Sequence, residues 1–349
     1  MTSASVGLGV VGLGFMGRRY ARFIAGIEGM HLAGVCDISE GLAKEVADEH
    51  GCAVYGDPGA LAAAAEVAGV IVCTPEDRHR EPSLAVLRAG KPLAVEKPIA
   101  HTLEAAREIA ATGERAGLPV LVGHLLRFEP RWVAARQRLD AGAIGEVVSI
   151  ATRRVGNVLD QDVLKGRTSI PLYYGVHDLD VMRWFAGSEA IRIYADKHSG
   201  ALQAAGYDID DVYCAVLTFG NGVLGAAELG WHVPGNAVAA RTSGVTITGT
   251  KGFIRIEQGE TGFESWTAAG LDRALDVVFW QETYGIPGGA LGLEIRHFAD
   301  VVRGRAQPAI AVSEAVEALR LSLAMEESTA RGAAIDLTTW VRQEQHDTL

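Results

Sequence analysis

Cysteine is scarce and unpaired in this 349-residue sequence. Cys36, Cys52, Cys73 and Cys214 are the four, and no two form a C-x-x-C pair. The spacing of a structural zinc site is therefore missing, and no metal is expected. Three of the four fall in or near apolar runs, so the thiols read as reduced, buried, small hydrophobes. Long uncharged apolar runs are missing too. None reaches the roughly 18 residues of a spanning helix. The start of the chain has no basic leader, and glycine breaks up its apolar part. No signal peptide is expected, and the reading is cytoplasmic. Positive charge is in deficit: 32 Lys and Arg face 43 Asp and Glu, a net charge of −11. Nucleic acid and anionic membrane surfaces are repelled on average, and neither is an expected partner. Internal repeats, low-complexity tracts and long linkers are also absent.

What is present suits a soluble globular protein. Hydrophobic residues make up 48% and charged residues 21%. At roughly 100–200 residues per domain, the length predicts two domains. The first third alternates apolar strand-like runs (VGLGVV 6–11, HLAGVCD 31–37, GVIVCTP 69–75, PLAVEKP 92–98, PVLVGH 119–124) with helical stretches. That order predicts βαβ units and a parallel sheet. From residue 146 strands dominate. FGNG and GTKG read as hairpin turns, so a second, largely antiparallel sheet is expected. RALDVVFWQET (273–283) is expected to be one of its strands. Helices near 289–304 and 313–331 close the chain, the second capped by Ser313. The fold class is α/β: a Rossmann domain over 1–123, then an α/β domain with a large open sheet over 124–349.

Two G-x-G-x-x-G matches overlap in VGLGVVGLGFMG. A dinucleotide motif must follow a strand and open a helix. Only a short polar stretch precedes Gly7, whereas Gly12 follows VGLGVV and leads into RRYARFI. The working glycines are therefore Gly12, Gly14 and Gly17, with Phe15 and Met16 in the same turn. Gly12 permits the tight turn, Gly14 lets backbone approach a pyrophosphate, and Gly17 allows helix and strand to pack closely. Asp37 ends the next strand, where an acid accepts hydrogen bonds from the adenosine ribose. Its charge opposes a 2′-phosphate, so NAD is favoured over NADP. The bland alternative is an ordinary strand–turn–helix in which Asp37 caps the following segment.

VEKPIA (95–100) places Glu96, Lys97 and Pro98 at a strand's carboxyl end, facing a cofactor crevice. A lysine there can bind a substrate hydroxyl and stabilise developing oxyanion charge; a lone lysine at a strand end is otherwise a surface residue. His177, in LYYGVHDLD, is by itself more often a structural residue at a helix start than a base.

Together these stretches resemble the glucose–fructose oxidoreductase, inositol dehydrogenase and rhizopine-catabolism (Gfo/Idh/MocA) family over nearly the whole length. The likeness rests on GLGFMG, VCTPEDRH (72–79), VEKPIA, GHLLRFEP (123–130), AGAIGEVVSI (141–150), GVHDLDVMRWFAG (175–187) and ITGTKGFIRIE (247–257). It implies NAD-linked oxidation or reduction of one carbinol of a sugar or cyclitol, and a homodimer or homotetramer joined through the open sheet. By the same likeness Lys97 positions the reacting hydroxyl and His177 is the acid/base. Thr74, Pro75 and His79 match the loop passing the nicotinamide, Glu96 touches the cofactor, and Arg127 lies near substrate. An imidazole titrates near neutrality, which suits that role.

The sequence departs from the family at Tyr173, where many relatives carry an aspartate four residues before the histidine. Tyr173 is then a candidate catalytic residue, with Tyr174 and Arg154 as further substrate contacts. Asp180, one turn past His177, is a helper or a structural residue. Arg153, Trp231 and His232 line the pocket or lie on a sheet face. Two other readings stay open: cofactor-retaining redox chemistry on a glycoside, for example at C3, and a sensor that binds sugar and NAD without chemistry.

Overall fold

Every residue of the strand Val6–Val11 (β1) is buried, because a parallel strand covered by helices has no solvent face. In the computed structural model, which describes residues 5–157, 167–233, 242–258, 265–267, 270–272 and 278–341, β1 is central to a six-stranded sheet. Its other strands are Met30–Cys36 (β2), Ala53–Val54 (β3), Gly69–Val72 (β4), Leu93–Glu96 (β5) and Val120–Gly123 (β6). The order is β3-β2-β1-β4-β5-β6 and every pairing is parallel. This is the doubly wound Rossmann arrangement, and its strand order reverses between β1 and β4, where such sheets bind ligands. The short edge strand β3 gave no signal in the sequence.

Capping fixes the intervening helices. Ser39, Asp57 and Thr102 accept backbone N–H groups at the starts of Glu40–His50, Pro58–Ala63 and Leu103–Ala116. Gly51 and Gly117 end the first and third in the left-handed conformation.

By contacts the chain divides into two units: Met1–Glu129 with Val277–Leu319, and Pro130–Asp276 with Arg320–Leu349. A single division at residue 123 thus differs from the packing. Helix Gly289–Val302 returns to the first unit and buries Ala290, Leu291, Ile295, Phe298 and Ala299 in the same core as β1 and helix Phe15–Gly26. Helix Val312–Arg331 begins one residue before Ser313. Ser313 is therefore inside the first turn, and Glu314 turns back to accept from the Ala311 N–H.

The second unit carries a seven-stranded sheet. It contains Val147–Asn157 (β7), Ala190–His198 (β8), Val212–Phe219 (β9), Leu224–Val233 (β10), Thr242–Gly249 (β11) and Gly252–Glu257 (β12). The order is β12-β11-β7-β10-β9-β8, with Ile335–Asp336 on the far edge of β8. The β10–β7 pair is parallel and all the others are antiparallel. FGNG joins β9 to β10, and Thr250–Lys251 joins β11 to β12, as tight hairpins. One face buries Ile150, Tyr213, Ala215, Leu217 and Leu229, while Val148, Tyr194, Val216 and Leu224 are exposed on the sheet. The described part, 278–283, of the strand expected over 273–283 is not in this sheet. Residues 273–277 lie outside the described residues, and Glu282–Thr283 pairs in a small hairpin with Ile286–Pro287 in the first unit. All four cysteines are free. The expectation of uniform burial fails at Cys214, because the pleat turns it to the exposed face of β9, and at Cys52, which is half-buried.

Candidate functional site

The glycine turn is built for close approach. Gly12 has φ +84°, and a Cβ there would lie 2.7 Å from Thr74 N. A Cβ on Gly17 would lie 1.8 Å from Gly12 O, so glycine is what lets the helix sit on the strand. Gly14 is different: a Cβ on it would meet nothing within 4 Å. Space is open at the start of helix Phe15–Gly26. That helix has no acid in its first turn and, unlike the three helices capped by Ser39, Asp57 and Thr102, no side-chain cap. Its first N–H groups and positive dipole end are thus available to an anion.

Asp37 closes this turn. Its Oδ2 accepts from the Leu13 N–H at 2.6 Å and its Oδ1 from the Ser39 N–H at 2.8 Å. Each carboxylate oxygen has two lone pairs, so both can still accept from a ribose hydroxyl. Phe15 is largely exposed, with the Arg19 guanidinium 3.6 Å from its ring centroid and the Trp280 ring edge-on at 6.1 Å. Met16 is half-buried against the core. Ile38, beside Asp37, is fully open to solvent. An open turn, uncapped helix N–H groups and a ribose-type acid fit a dinucleotide.

The loop after β4 is tied to the loop after β5. Thr74 Oγ1 donates to Arg78 O, and Pro75 precedes the turn Glu76–Arg78. His79 is buried, with Nδ1 2.8 Å from Pro98 O and Nε2 2.9 Å from Thr74 O. Carbonyl oxygens only accept, so both contacts are hydrogen bonds only for a protonated ring. Burial holds the His79 pKa below the ordinary imidazole value, and the neutral ring donates to one carbonyl. His79 thus ties its ring to one of two carbonyls, Thr74 O or Pro98 O, beside the crevice.

Glu96 Oε2 accepts from the Lys97 backbone N–H at 3.1 Å, and Glu96 Oε1 accepts from the Tyr20 hydroxyl at 3.1 Å. Desolvation raises the Glu96 pKa, opposed by the Lys97 charge. Behind them is Glu294, which the sequence reading missed. It is buried, its Oε1 is 2.5 Å from the Tyr20 hydroxyl, and burial with the nearby Glu96 pushes its pKa up to about 8. One signal was available: in GALGLEIRHFAD, Glu294 falls on the helical stripe of Leu291, Ile295 and Phe298. Arg127 is buried in the turn Leu125–Phe128, with Nη2 3.2 Å from Glu314.

Lys97 and Arg127 belong to the first unit; Arg154, Tyr173, Tyr174 and His177 belong to the second. There, Pro171–Gly175 forms a π-helical turn that runs into helix Val176–Ala186. Such turns recur at functional sites. Tyr173, Tyr174 and Trp231 pack ring against ring, with centroids 5.2–5.7 Å apart. Gly156 on β7 makes room, since a Cβ there would lie 2.0 Å from the Tyr174 hydroxyl. His177 is half-buried at the start of the helix. Its neighbour Asp178 is fully buried and accepts from Arg154 Nε at 2.5 Å. Burial raises the Asp178 pKa against the pull of Arg154. Arg154, expected among substrate contacts, is thus engaged by the helix that carries His177. Asp180 is fully buried. Arg153 points to the opposite face and pairs with Glu228 at 3.2 Å, which makes it a sheet-face residue. Trp231 is buried, and the His232 side chain lies outside the described residues.

Residues 6–124 match the family model described as "Oxidoreductase family, NAD-binding Rossmann fold", and residues 132–255 match the "GFO/IDH/MocA C-terminal domain". The chain is 34% identical over 235 residues to "Inositol 2-dehydrogenase 2" of Saccharopolyspora erythraea, covering 64% of this chain and 66% of that protein. It is 30% identical over 263 residues to "2,7-anhydro-N-acetylneuraminate hydratase" of Escherichia coli, covering 73% and 68%. A solved structure of a putative myo-inositol dehydrogenase from Sinorhizobium meliloti superposes with TM-score 0.81 at 26% identity, covering 95% of this chain and all of that one.

Proposed function

Because the chain belongs to the GFO/IDH/MocA oxidoreductase family, with its NAD-binding Rossmann fold, we propose that it is an NAD-dependent dehydrogenase of a cyclitol or sugar. The observation that carries this is Lys97 at the end of β5, with its backbone N–H held by Glu96 and the carbonyl of the following proline 2.8 Å from His79 Nδ1. Gly12, Gly14, Gly17 and Asp37 hold the dinucleotide, whose nicotinamide supplies the hydride acceptor. Ile38 offers an apolar surface beside the ribose acid. In oxidation, Lys97 binds and polarises the substrate hydroxyl, and His177 accepts its proton. The carbinol becomes a carbonyl, one hydride leaves its carbon, and one proton leaves its oxygen. Tyr173 orients the imidazole in place of a carboxylate. The uncovered face of the second sheet, with Val148, Tyr194, Val216 and Leu224, is where copies of the chain meet. Among the described residues no helix is long and apolar enough to cross a membrane, and the proposed place of action is the cytoplasm.

Similarity to a protein named as a hydratase favours a second reading. Hydration is redox-neutral, so in this reading a hydride passed to the nicotinamide would have to return to substrate before product leaves, and the cofactor would be retained. One experiment separates the two. Purified protein is mixed with NAD and a panel of inositols, aldoses, anhydrosugars and glycosides, and both NADH absorbance and product are followed. Accumulating NADH supports the dehydrogenase. Product without NADH supports the cofactor-retaining reaction. Neither, with NADH bound, leaves a non-catalytic binder.

A further inference from the structure

The Tyr20 hydroxyl lies between two carboxyl groups, 2.5 Å from Glu294 Oε1 and 3.1 Å from Glu96 Oε1. A phenol has one proton to donate, and an ionised carboxylate can only accept. If both acids were ionised, one of these contacts would set oxygen against oxygen with no proton between. Both are hydrogen bonds only when one acid is protonated. Glu96 also accepts from the Lys97 N–H, and the Lys97 charge favours its ionised form. Glu294 is 3% exposed, and its Oε2 has no hydrogen-bond partner. Burial and the Glu96 charge both oppose its ionisation. The proton therefore sits on Glu294.

We propose that Glu294 is a neutral carboxylic acid that donates to Tyr20, that Tyr20 donates to Glu96, and that this chain positions the Glu96 carboxylate and, through it, Lys97. The inference rests on the reading of Lys97 as the group that binds the reacting hydroxyl. Glu294 touches neither substrate nor cofactor; it is a positioning residue. The hydrogen-bonded chain starts on helix Gly289–Val302, crosses Tyr20 of helix Phe15–Gly26 and ends on the loop after β5.

A pH dependence follows. When Glu294 ionises, Tyr20 has two anionic acceptors and one proton. Glu96 then loses its donor or gains a repelling charge, and Lys97 loses its fixed setting. The groups around this chain are Tyr20, the Cys73 thiol at the end of β4, and Glu96 with Lys97. The Cys73 thiol is itself pushed well above its ordinary range by burial. The turn Leu125–Phe128, which packs on the Glu294 helix, brings Arg127, paired with Glu314. On the same helix His297 lies against the Phe128 ring, and its own pKa is lowered by burial. Burial and the Glu96 charge push the Glu294 pKa up to about 8, so its charge changes just on the alkaline side of neutrality.

The test begins with the protein and no cofactor. Infrared spectra near pH 7 should show the carbonyl stretch of a protonated carboxyl that is lost in Glu294→Gln and kept in Glu96→Gln. If Glu294→Gln does not fold, Tyr20→Phe should shift that band, because the acid loses its acceptor. NADH binding and turnover are then followed against pH. Glu294→Gln keeps a donor to Tyr20 and cannot ionise, so the alkaline limb of both should move up by at least about one pH unit. Glu294→Met, which has no donor, should lower kcat by about tenfold or more with KM little changed, and Gln should recover most of that loss. A spectrum unaltered at Glu294 overturns the proposal, as does an alkaline limb that does not move. The infrared and NADH-binding results stand even if no sugar or cyclitol is turned over, so failure of the dehydrogenase reading is distinguishable from failure of this one.

Discussion

Arg154 on β7 donates from Nε to Asp178 Oδ2 at 2.5 Å, within the second unit and one residue from His177. Both residues are buried. Removing one charge strands the other, which costs about 3–5 kcal/mol, whereas replacing both with apolar side chains is often neutral. Arg154→Met should therefore lower the unfolding free energy by about that amount in urea titration. Arg154→Met combined with Asp178→Leu should recover most of it. Unchanged stability in Arg154→Met, with substrate affinity lost, would return the arginine to the substrate contacts.

Glu294 gives stability a pH slope of known sign. Its folded pKa is raised from 4.5 to about 8. Below the unfolded value both states hold the proton. Between the two values the unfolded chain releases it and the folded chain keeps it, so stability falls as pH rises, by at most about 1.4 kcal/mol per pH unit. Thermal midpoints measured across that window should decline in wild type relative to Glu294→Gln. Parallel curves would place the ionisation elsewhere.

Asp37 should set cofactor choice. Its oxygens already accept from Leu13 and Ser39, which fixes the carboxylate where a ribose hydroxyl would meet it. NADH should bind more tightly than NADPH in fluorescence titration, and Asp37→Ser should narrow the difference. Equal or tighter NADPH binding by wild type would remove the acid from this role.

Lys97→Met and His177→Ala should each lower turnover by at least about a hundredfold, the low end for a lost acid/base group. NADH affinity should stay near wild type, because neither residue is assigned to the phosphates or the adenosine. Near-normal turnover in both variants would end the assignment.

Much of the first sheet was legible because burial on both faces writes itself as apolar runs, and because Gly12 and Gly17 stand where a Cβ would strike backbone. Hairpins at FGNG and GTKG were legible from turn chemistry alone. The misses share a cause: periodicity reports an element's own face and says nothing about what covers it. Helix 289–302 showed an apolar stripe, but not that β1 and helix 15–26 lie under it. The Arg154–Asp178 pair could not be read because the two residues are 24 apart in sequence. Tyr20 and Glu294 are 274 residues apart, and neither belongs to any motif. Ser313 failed for a local reason, since the helix found an earlier start and Glu314 supplied the returning bond.

The return of residues 277–319 to the first unit has a consequence for how the protein is made. Ribosomes deliver β1 through β6 first, yet Leu291, Ile295 and Phe298 of that same core are translated more than a hundred residues later than β6. A nascent first unit therefore waits with the surface for that helix uncovered while β7 through β12, all of the second sheet but its edge strand Ile335–Asp336, emerge. Folding of this chain cannot proceed as two finished beads in order of synthesis. Its early half is completed by its late one, and stalled chains ending before about residue 289 should be the ones that chaperones hold.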